Sequence, residues 1–144
     1  MYEMKIVAQS IIGRQSTQSS KRNLYCHNII SVTIDSIDIN SLFIKVILLD
    51  EFGEVCDLVL LDGDYVKMVN SEKVFMVSRN CYKFIFNNIG IRKVGKFKLR
   101  FLLVKYGLLD KKFQEINQID SELIEVCSSH TYAAKKKLLF PRKQ

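Results

Sequence analysis

The sequence has few of the residues from which most active sites are built. It contains no tryptophan, one proline and only two histidines, His27 and His130. No GxSxG, HExxH or glycine-rich phosphate-loop pattern occurs. The four cysteines are tens of residues apart and form no CxxC pair, so a zinc ribbon or redox motif is not indicated. We therefore expect a protein that is not an enzyme and that uses no metal or other cofactor.

Two local patterns suggest chemistry at first sight, and neither supports it. Asp62 and Asp64 flank Gly63, which is typical of a tight turn rather than of a catalytic carboxylate pair. Cys127 and His130 are three residues apart, so on an extended strand their side chains would point to opposite faces. A nucleophile and its base must lie within hydrogen-bonding distance, and this spacing does not provide that.

The chain also lacks long apolar runs. No run approaches the roughly 18 residues of a membrane-spanning helix, and the N-terminal region lacks the pattern of a signal peptide. We expect a soluble protein that is not secreted and has no membrane partner. Its cysteines are expected to be reduced and mostly buried.

The apolar residues that are present predict a mostly β protein. The chain has 144 residues, of which 48% are hydrophobic, enough for one domain with a buried core, which we place at residues 1–140. Short segments rich in Val, Ile, Leu and Phe are separated by turn signals, a pattern that favours a β-sandwich or barrel. The predicted strands are Met4–Gln9, Ile29–Ile34, Leu42–Leu49, Val55–Leu61, Lys73–Val77, Tyr82–Phe86, Lys96–Lys105 and Leu123–Cys127.

Two segments depart from this strand pattern. Lys111–Glu125 has Phe113, Ile116 and Ile119 at helical spacing, so it is predicted to be partly helical. Ile11–Asn28 is polar and too long for a hairpin, and long loops in compact domains are usually functional or disordered.

Positive charge is segregated along the chain. Residues 91–105 carry six basic residues and residues 135–144 carry five, and neither segment contains an acidic residue. Together they hold 11 of the 22 lysines and arginines and none of the 15 acidic residues. Such segregation creates a local positive field that attracts phosphate backbones or acidic partners. A solvated surface with a disordered basic tail explains the same composition.

The segment from Phe84 to Phe101, FIFNNIGIRKVGKFKLRF, resembles the most recognisable part of the fungal velvet domain. In that family an aromatic-Ile-Phe strand is followed by an Asp or Asn turn, an apolar-x-Arg step, a glycine and a basic-aromatic-basic-Leu-Arg-Phe strand. The closing segment IEVCSSHTYAAKKKLLFP is similar to the family's Ser, aromatic, Ala-Lys-Lys, Phe-Pro ending. The N-terminal segment resembles the family's opening at Gln9, at Gly13-Arg14 and at the basic pair Lys21-Arg22.

The resemblance implies a twisted antiparallel β-sandwich of the immunoglobulin or Rel-homology type, with at most one or two short helices. It implies a transcriptional regulator of fungal development that resides in the nucleus and can shuttle to the cytoplasm. Members of the family pair with themselves or with another velvet-type protein, and several bind double-stranded DNA through loops at one end of the sandwich. The resemblance implies no small-molecule substrate.

We predict that three basic segments meet at that end and contact DNA. Arginines there would hydrogen-bond guanine edges, whereas lysines would mostly contact phosphates. The predicted contacts are Arg14, Lys21 and Arg22 in the N-terminal loop, Arg92, Lys93 and Lys96 at a turn, and Lys135, Lys136 and Lys137 in the basic C-terminal segment, residues 135–144.

Several alternatives stay open. Lys98 and Arg100 can be the solvent face of an amphipathic strand, and the C-terminal lysines can form a nuclear-import signal. A non-catalytic dimerisation or adaptor module would use exposed apolar residues such as Leu102 and Val104 and would not bind DNA. A module that binds acidic membrane or protein surfaces by charge alone would show no sequence preference. The residues expected in the core are Phe84, Phe86, Phe97, Leu99 and Phe101.

Overall fold

The computed structural model describes residues 2–17, 19–34, 41–69 and 71–140. Arg142 and Lys143 of the predicted basic segment lie outside these ranges. Within them the chain forms twelve β-strands, a short 3-10 helix (Leu58–Leu60) and one α-helix. The elements are β1 (Tyr2–Ala8), β2 (Ile12–Arg14), β3 (Asn28–Ile34), β4 (Leu42–Asp50), β5 (Leu61–Gly63), β6 (Val66–Met68), β7 (Val74–Ser78), β8 (Cys81–Phe86), β9 (Ile89–Ile91), β10 (Gly95–Tyr106), β11 (Phe113–Asp120), β12 (Ile124–Cys127) and α1 (Ser129–Leu139).

The strands form two main sheets, which confirms the predicted β-sandwich class. The first sheet has the order β1-β3-β8-β7, and the second has the order β2-β12-β10-β4-β6, with β11 also paired to β10. β5 and β9 form a separate two-stranded sheet. The pairing of β2 with β12 is parallel, whereas the other pairs among the named strands are antiparallel.

β10 is the central strand of the second sheet, and basic and apolar residues alternate along it from Lys96 to Phe101. It pairs with β4 on one side, and with β12 and then β11 on the other. Successive side chains of a strand point to opposite faces. Lys96 is therefore exposed, and Lys98 and Arg100 are partly exposed, on the face away from the core.

The core lies between the two sheets and contains the predicted aromatic residues. The rings of Phe86 on β8 and Phe101 on β10 are 5.5 Å apart, which joins the sheets directly. The expected core residues are each at most 4% exposed: Phe84, Phe86, Phe97, Leu99 and Phe101.

The partly helical prediction for Lys111–Glu125 is wrong, because this segment contains strand β11. β11 pairs with β10 in a register that changes between Asn117 and Glu115, so Ile116 is an extra residue in the strand. A bulge of this kind reverses the alternation of side chains. Ile116 and Ile119 can then both pack against the core although they are three residues apart, which imitates helical spacing.

The expectation that Leu102 and Val104 form an exposed pairing surface is also wrong. They are 6% and 5% exposed, although they lie on the opposite face of β10 from Phe101. β10 has neighbours on both sides here, so Val104 lies between Phe43 of β4 and Glu115 of β11. Leu102 and Val104 therefore offer little apolar surface to a partner.

The sequence also missed several short elements. The strand predicted at Val55–Leu61 does not form as a whole. Leu61 begins β5, Val55 forms only an isolated bridge with Leu49, and Leu58–Leu60 forms the 3-10 helix. Asp57 caps that helix, because its carboxylate accepts a hydrogen bond from the amide of Val59 (3.1 Å). The strands β2, β5, β6 and β9 have three residues each, too few to show a period in the sequence.

Candidate functional site

The pairing of β2 with β12 brings the start of the chain beside its end. Arg14, the last residue of β2, lies opposite Cys127, the last residue of β12. Because α1 begins at Ser129, Arg14 is placed beside the first turn of this helix.

Hydrogen bonds hold the N-terminal loop against two neighbouring segments. The amide of Gln15 donates to the carbonyl of Cys127 (2.8 Å), and its Nε2 donates to the carbonyl of Arg92 (3.0 Å). The amide of Ser16 donates to the carbonyl of Ile91 (2.9 Å). The loop, the β9–β10 turn and the β12–α1 junction therefore lie together, and these segments carry most of the predicted contacts.

A second set of bonds closes the loop on itself and holds the backbone of Arg22. The Ser16 hydroxyl donates to the carbonyl of Arg22 (2.9 Å) and accepts from its amide (2.8 Å). Ser16 is buried, and Gly90 lies directly against this turn. The amide of Leu24 then donates to the carbonyl of Ile89 (2.7 Å). This part of the loop is thus ordered by the core of the protein.

Arg14 and Arg22, called the arginine pair below, meet at the Ser129 hydroxyl. Nε of Arg14 lies 2.8 Å from Ser129 Oγ, and Nη1 of Arg22 lies 3.0 Å from the same atom. Among the residues that the structure describes, no carboxylate forms an ion pair with either guanidinium. Two positive charges are therefore held together at the surface, and no described residue supplies an anionic partner.

Tyr132 lies near Arg14. Burial raises the pKa of Tyr132, and Tyr25 adds to the rise, whereas the positive charge of Arg14 opposes it. The first turns of α1 thus bring the Ser129 hydroxyl to both arginines and place Tyr132 near Arg14.

The three predicted contacts at the β9–β10 turn, Arg92, Lys93 and Lys96, differ in whether a carboxylate of the protein neutralises their charge. Arg92 forms an ion pair with Asp62 (3.4 Å), and its Nη1 donates to the carbonyl of Val59 (2.9 Å). Lys93 and Lys96 are exposed. Of the three predicted contacts at this turn, the two lysines are the ones that present their charge to solvent.

The three lysines of α1 have three different surroundings. Lys135 Nζ lies 2.6 and 2.7 Å from the two carboxylate oxygens of Glu125. Lys136 Nζ lies 4.3 Å from the ring centroid of Tyr25, a cation–π distance. Lys137 is exposed.

Lys21 points away from the arginine pair. Its ammonium group donates to Oδ1 of Asn88, whose Nδ2 donates to Asp64 (3.1 Å). Neighbouring residues of an extended segment point in opposite directions, so Arg22 faces α1 while Lys21 faces the β8–β9 turn. The predicted basic pair is therefore split between two surfaces.

Sequence reasoning missed Ser129, which organises the site. It is 115 residues from Arg14 and 107 residues from Arg22 along the chain. No spacing rule relates residues so far apart, and a serine next to another serine carries no signal of its own.

The described part of the chain contains no cluster of three or more His, Cys, Asp or Glu side chains that could hold a metal ion. In these same residues, no helix has the length and apolar character needed to cross a membrane. Comparison with known proteins found no matching family model and no matching curated protein.

Proposed function

We propose that the protein is a non-catalytic, DNA-binding transcriptional regulator of the velvet type. It would act in the nucleus and contact duplex DNA through the basic end of its β-sandwich, as a homodimer or with another velvet-type protein. The observation that carries the proposal is the arginine pair, two guanidiniums held within 3.0 Å of one hydroxyl and without a carboxylate partner among the described residues.

The geometry supports phosphate recognition by this end of the molecule. Guanidinium groups present planar forks of donors that match phosphate oxygens. The exposed Lys93, Lys96 and Lys137 would extend the positive surface, whereas Lys135 and Arg92 already have carboxylate partners. We therefore rank the arginine pair first among the contacts.

The test is selection of duplexes from a randomised DNA pool at near-physiological salt. The unmodified chain is compared with R14Q/R22Q, which removes both charges but keeps polar side chains. The matched control is K111Q/K112Q, which removes two charges from the β10–β11 turn. That turn lies at the opposite end of β10, roughly 35 Å from Gly95.

We expect an enriched motif for the unmodified chain and for K111Q/K112Q, and its loss in R14Q/R22Q. The dependence of log affinity on log salt concentration should become shallower by up to about 2 in R14Q/R22Q, since each phosphate contact contributes about 0.9. Equal binding by all three proteins would refute the arginine pair as the contact surface. No enrichment for the unmodified chain, alone or with a velvet-type partner, would refute the DNA-binding function.

A second candidate is a dimerisation or adaptor module, which the edge strand β7 favours. β7 is the last strand of the first sheet, and Phe75, Met76 and Val77 are 53%, 66% and 50% exposed. Apolar edge strands readily pair with another strand. Met76→Lys is expected to weaken self-association in sedimentation experiments, whereas Phe52→Lys, at an exposed loop position, is the matched control. A concentration-dependent dimer that ignores DNA would favour this candidate.

A further inference from the structure

The Ser129 hydroxyl is an unusual acceptor for two cations. It is exposed and neutral, yet it receives hydrogen bonds from both guanidiniums of the arginine pair. A hydroxyl cannot balance two positive charges, whereas a phosphate monoester carries about −1.5 to −2 charges and three strong acceptor oxygens. The position that these donors already surround is therefore suited to a phosphate attached to Ser129 itself.

We propose that Ser129 is a phosphorylation site whose phosphate is bound by Arg14 and Arg22, and that this modification closes the arginine pair to DNA. The effect on DNA binding rests on the proposed function, whereas phosphorylation of Ser129 and binding of its phosphate by the two arginines do not. A protein kinase would transfer the γ-phosphoryl group of ATP to Ser129. The Oγ–P bond forms as the bond from phosphorus to the β,γ-bridging oxygen breaks, ADP leaves, and the hydroxyl proton is released through the kinase base.

The fold allows a kinase to reach this residue. α1 contains no buried residue, so little apolar surface holds it against the sheet. Its side-chain contacts include the Lys135–Glu125 ion pair and the packing of Lys136 on Tyr25, and Phe140, which follows the helix, packs on the same ring. Elements with few buried contacts open locally at low cost, and opening of α1 would present Ser129 in an extended segment.

The neighbouring serine lacks this environment. The Ser128 hydroxyl lies 3.2 Å from Oγ1 of Thr131 and forms no hydrogen bond with either arginine. A phosphate on Ser128 and a phosphate on Ser129 would therefore differ in their access to the guanidiniums, although the two serines are adjacent in the chain. Position 128 provides a control with the same charge.

The modified protein would have a changed surface as well as a bound phosphate. Charge-assisted bonds to two guanidiniums would fix α1 against the N-terminal loop, and a phosphate at the start of a helix is favourable. The same bonds would occupy the donors proposed for DNA, and the added negative charge would repel the DNA backbone. Phosphorylation would thus order α1 and block the site together.

The first experiment installs phosphoserine at position 129 during synthesis of the full chain. Phosphoserine at position 128, and phosphoserine 129 in R14Q/R22Q, are the controls. In ³¹P NMR, the phosphate at 129 should titrate at lower pH than in either control, and thermal unfolding should occur at higher temperature. Identical titration curves and identical unfolding temperatures in the three proteins would overturn phosphate binding by the arginine pair.

The second experiment measures the affinity of the same proteins for the duplex selected by the unmodified chain. Phosphoserine 129 should lower it about tenfold or more, and phosphoserine 128 should lower it less. If the ³¹P and thermal results hold but the unmodified chain binds no DNA, the phosphate site stands and the DNA function fails. If DNA binding is strong and phosphoserine 129 leaves it unchanged, the regulatory half is overturned.

Mass spectrometry of the chain recovered from the cells that make it tests the modification itself. Phosphate at Ser129 supports the proposal. Phosphate confined to Ser128 or Thr131, or a chain that carries no phosphate in this segment under any growth condition, would overturn it.

Discussion

The ammonium group of Lys135 on α1 lies within 2.7 Å of both carboxylate oxygens of Glu125 on β12. This contact ties the helix to the second sheet and neutralises one of the lysines predicted to contact DNA. Hydrogen bonding to Glu125 raises the pKa of Lys135 above its ordinary value. The charge of Lys135 is thus used within the protein, unlike that of the exposed Lys137.

Lys135→Gln is therefore expected to loosen α1 while changing DNA affinity much less than R14Q/R22Q does. Hydrogen exchange of the α1 amides should become faster, and exchange in the sheets should not change. Because folding raises the pKa of Lys135, the pair stabilises the helix at neutral pH, and this contribution is lost as the pH rises through the folded-state pKa. Lys137→Gln is the control; α1 exchange as slow in Lys135→Gln as in this control would contradict the prediction.

Phe101→Ala is expected to destabilise the protein by about 3–5 kcal/mol, since it removes a fully buried ring and leaves a cavity. The ring also joins the two sheets through its contact with Phe86. Urea denaturation measures the free energy of unfolding. Phe52→Ala serves as the control, because Phe52 is 82% exposed and its loss should cost less than about 0.5 kcal/mol. Similar costs for both variants would mean that the sheets do not pack through Phe101.

Gly90→Ala is expected to disturb the arginine pair by displacing the backbone of Arg22. A Cβ at this position would lie 2.3 Å from Ser16 Oγ and 2.7 Å from the carbonyl oxygen of Arg22, so the loop must move. Overpacking of this kind costs about 1–3 kcal/mol, and we expect DNA affinity to fall as well. At Gly107 an added Cβ would meet the Asp110 carboxylate, which can rotate away. Gly107→Ala should therefore leave DNA binding unchanged, and a similar loss in both variants would point to a general folding defect.

The cysteines are expected to react with a thiol reagent in an order that follows their environment. All four are free, but only Cys127 is buried, so the expectation that most would be buried is wrong. Burial raises the pKa of Cys127, with the charge of Glu125 adding to the rise and Lys135 and Thr131 opposing it. At pH 8 Cys127 should react slowest and the exposed Cys26 fastest.

The raised pKa of Cys127 also predicts how the stability of the fold depends on pH. Because folding raises the pKa of Cys127, its neutral thiol stabilises the fold at neutral pH, and that contribution is lost as the pH rises through the folded-state pKa. For the order in which the four cysteines react with the thiol reagent, the control is labelling in denaturant, where all four thiols should react at similar rates. Equal rates in the folded protein would contradict the buried environment of Cys127.

Local periodicity was sufficient to predict most of the fold. The alternation around Phe97, Leu99 and Phe101 predicted a strand at Lys96–Lys105 and its core face, because burial on one side of a sheet requires a period of two. The prediction failed for β11, where a bulge at Ile116 produced apolar spacing that imitates a helix. It also failed for Leu102 and Val104, since only the neighbours on both sides of β10 show that this face is covered.

By itself, the sequence determined most of the longer strands, the aromatic residues of the core and the segments that are basic. The tertiary structure alone decided which of those basic residues keep a free charge. Lys135 and Arg92 acquire carboxylate partners, Lys21 turns towards Asn88, and Arg14 and Arg22 meet at a serine more than 100 residues away. The physical reason is that the local spacing of apolar residues determines which side chains are buried. The neutralisation of a charge depends instead on contacts between segments that only the assembled sheets bring together.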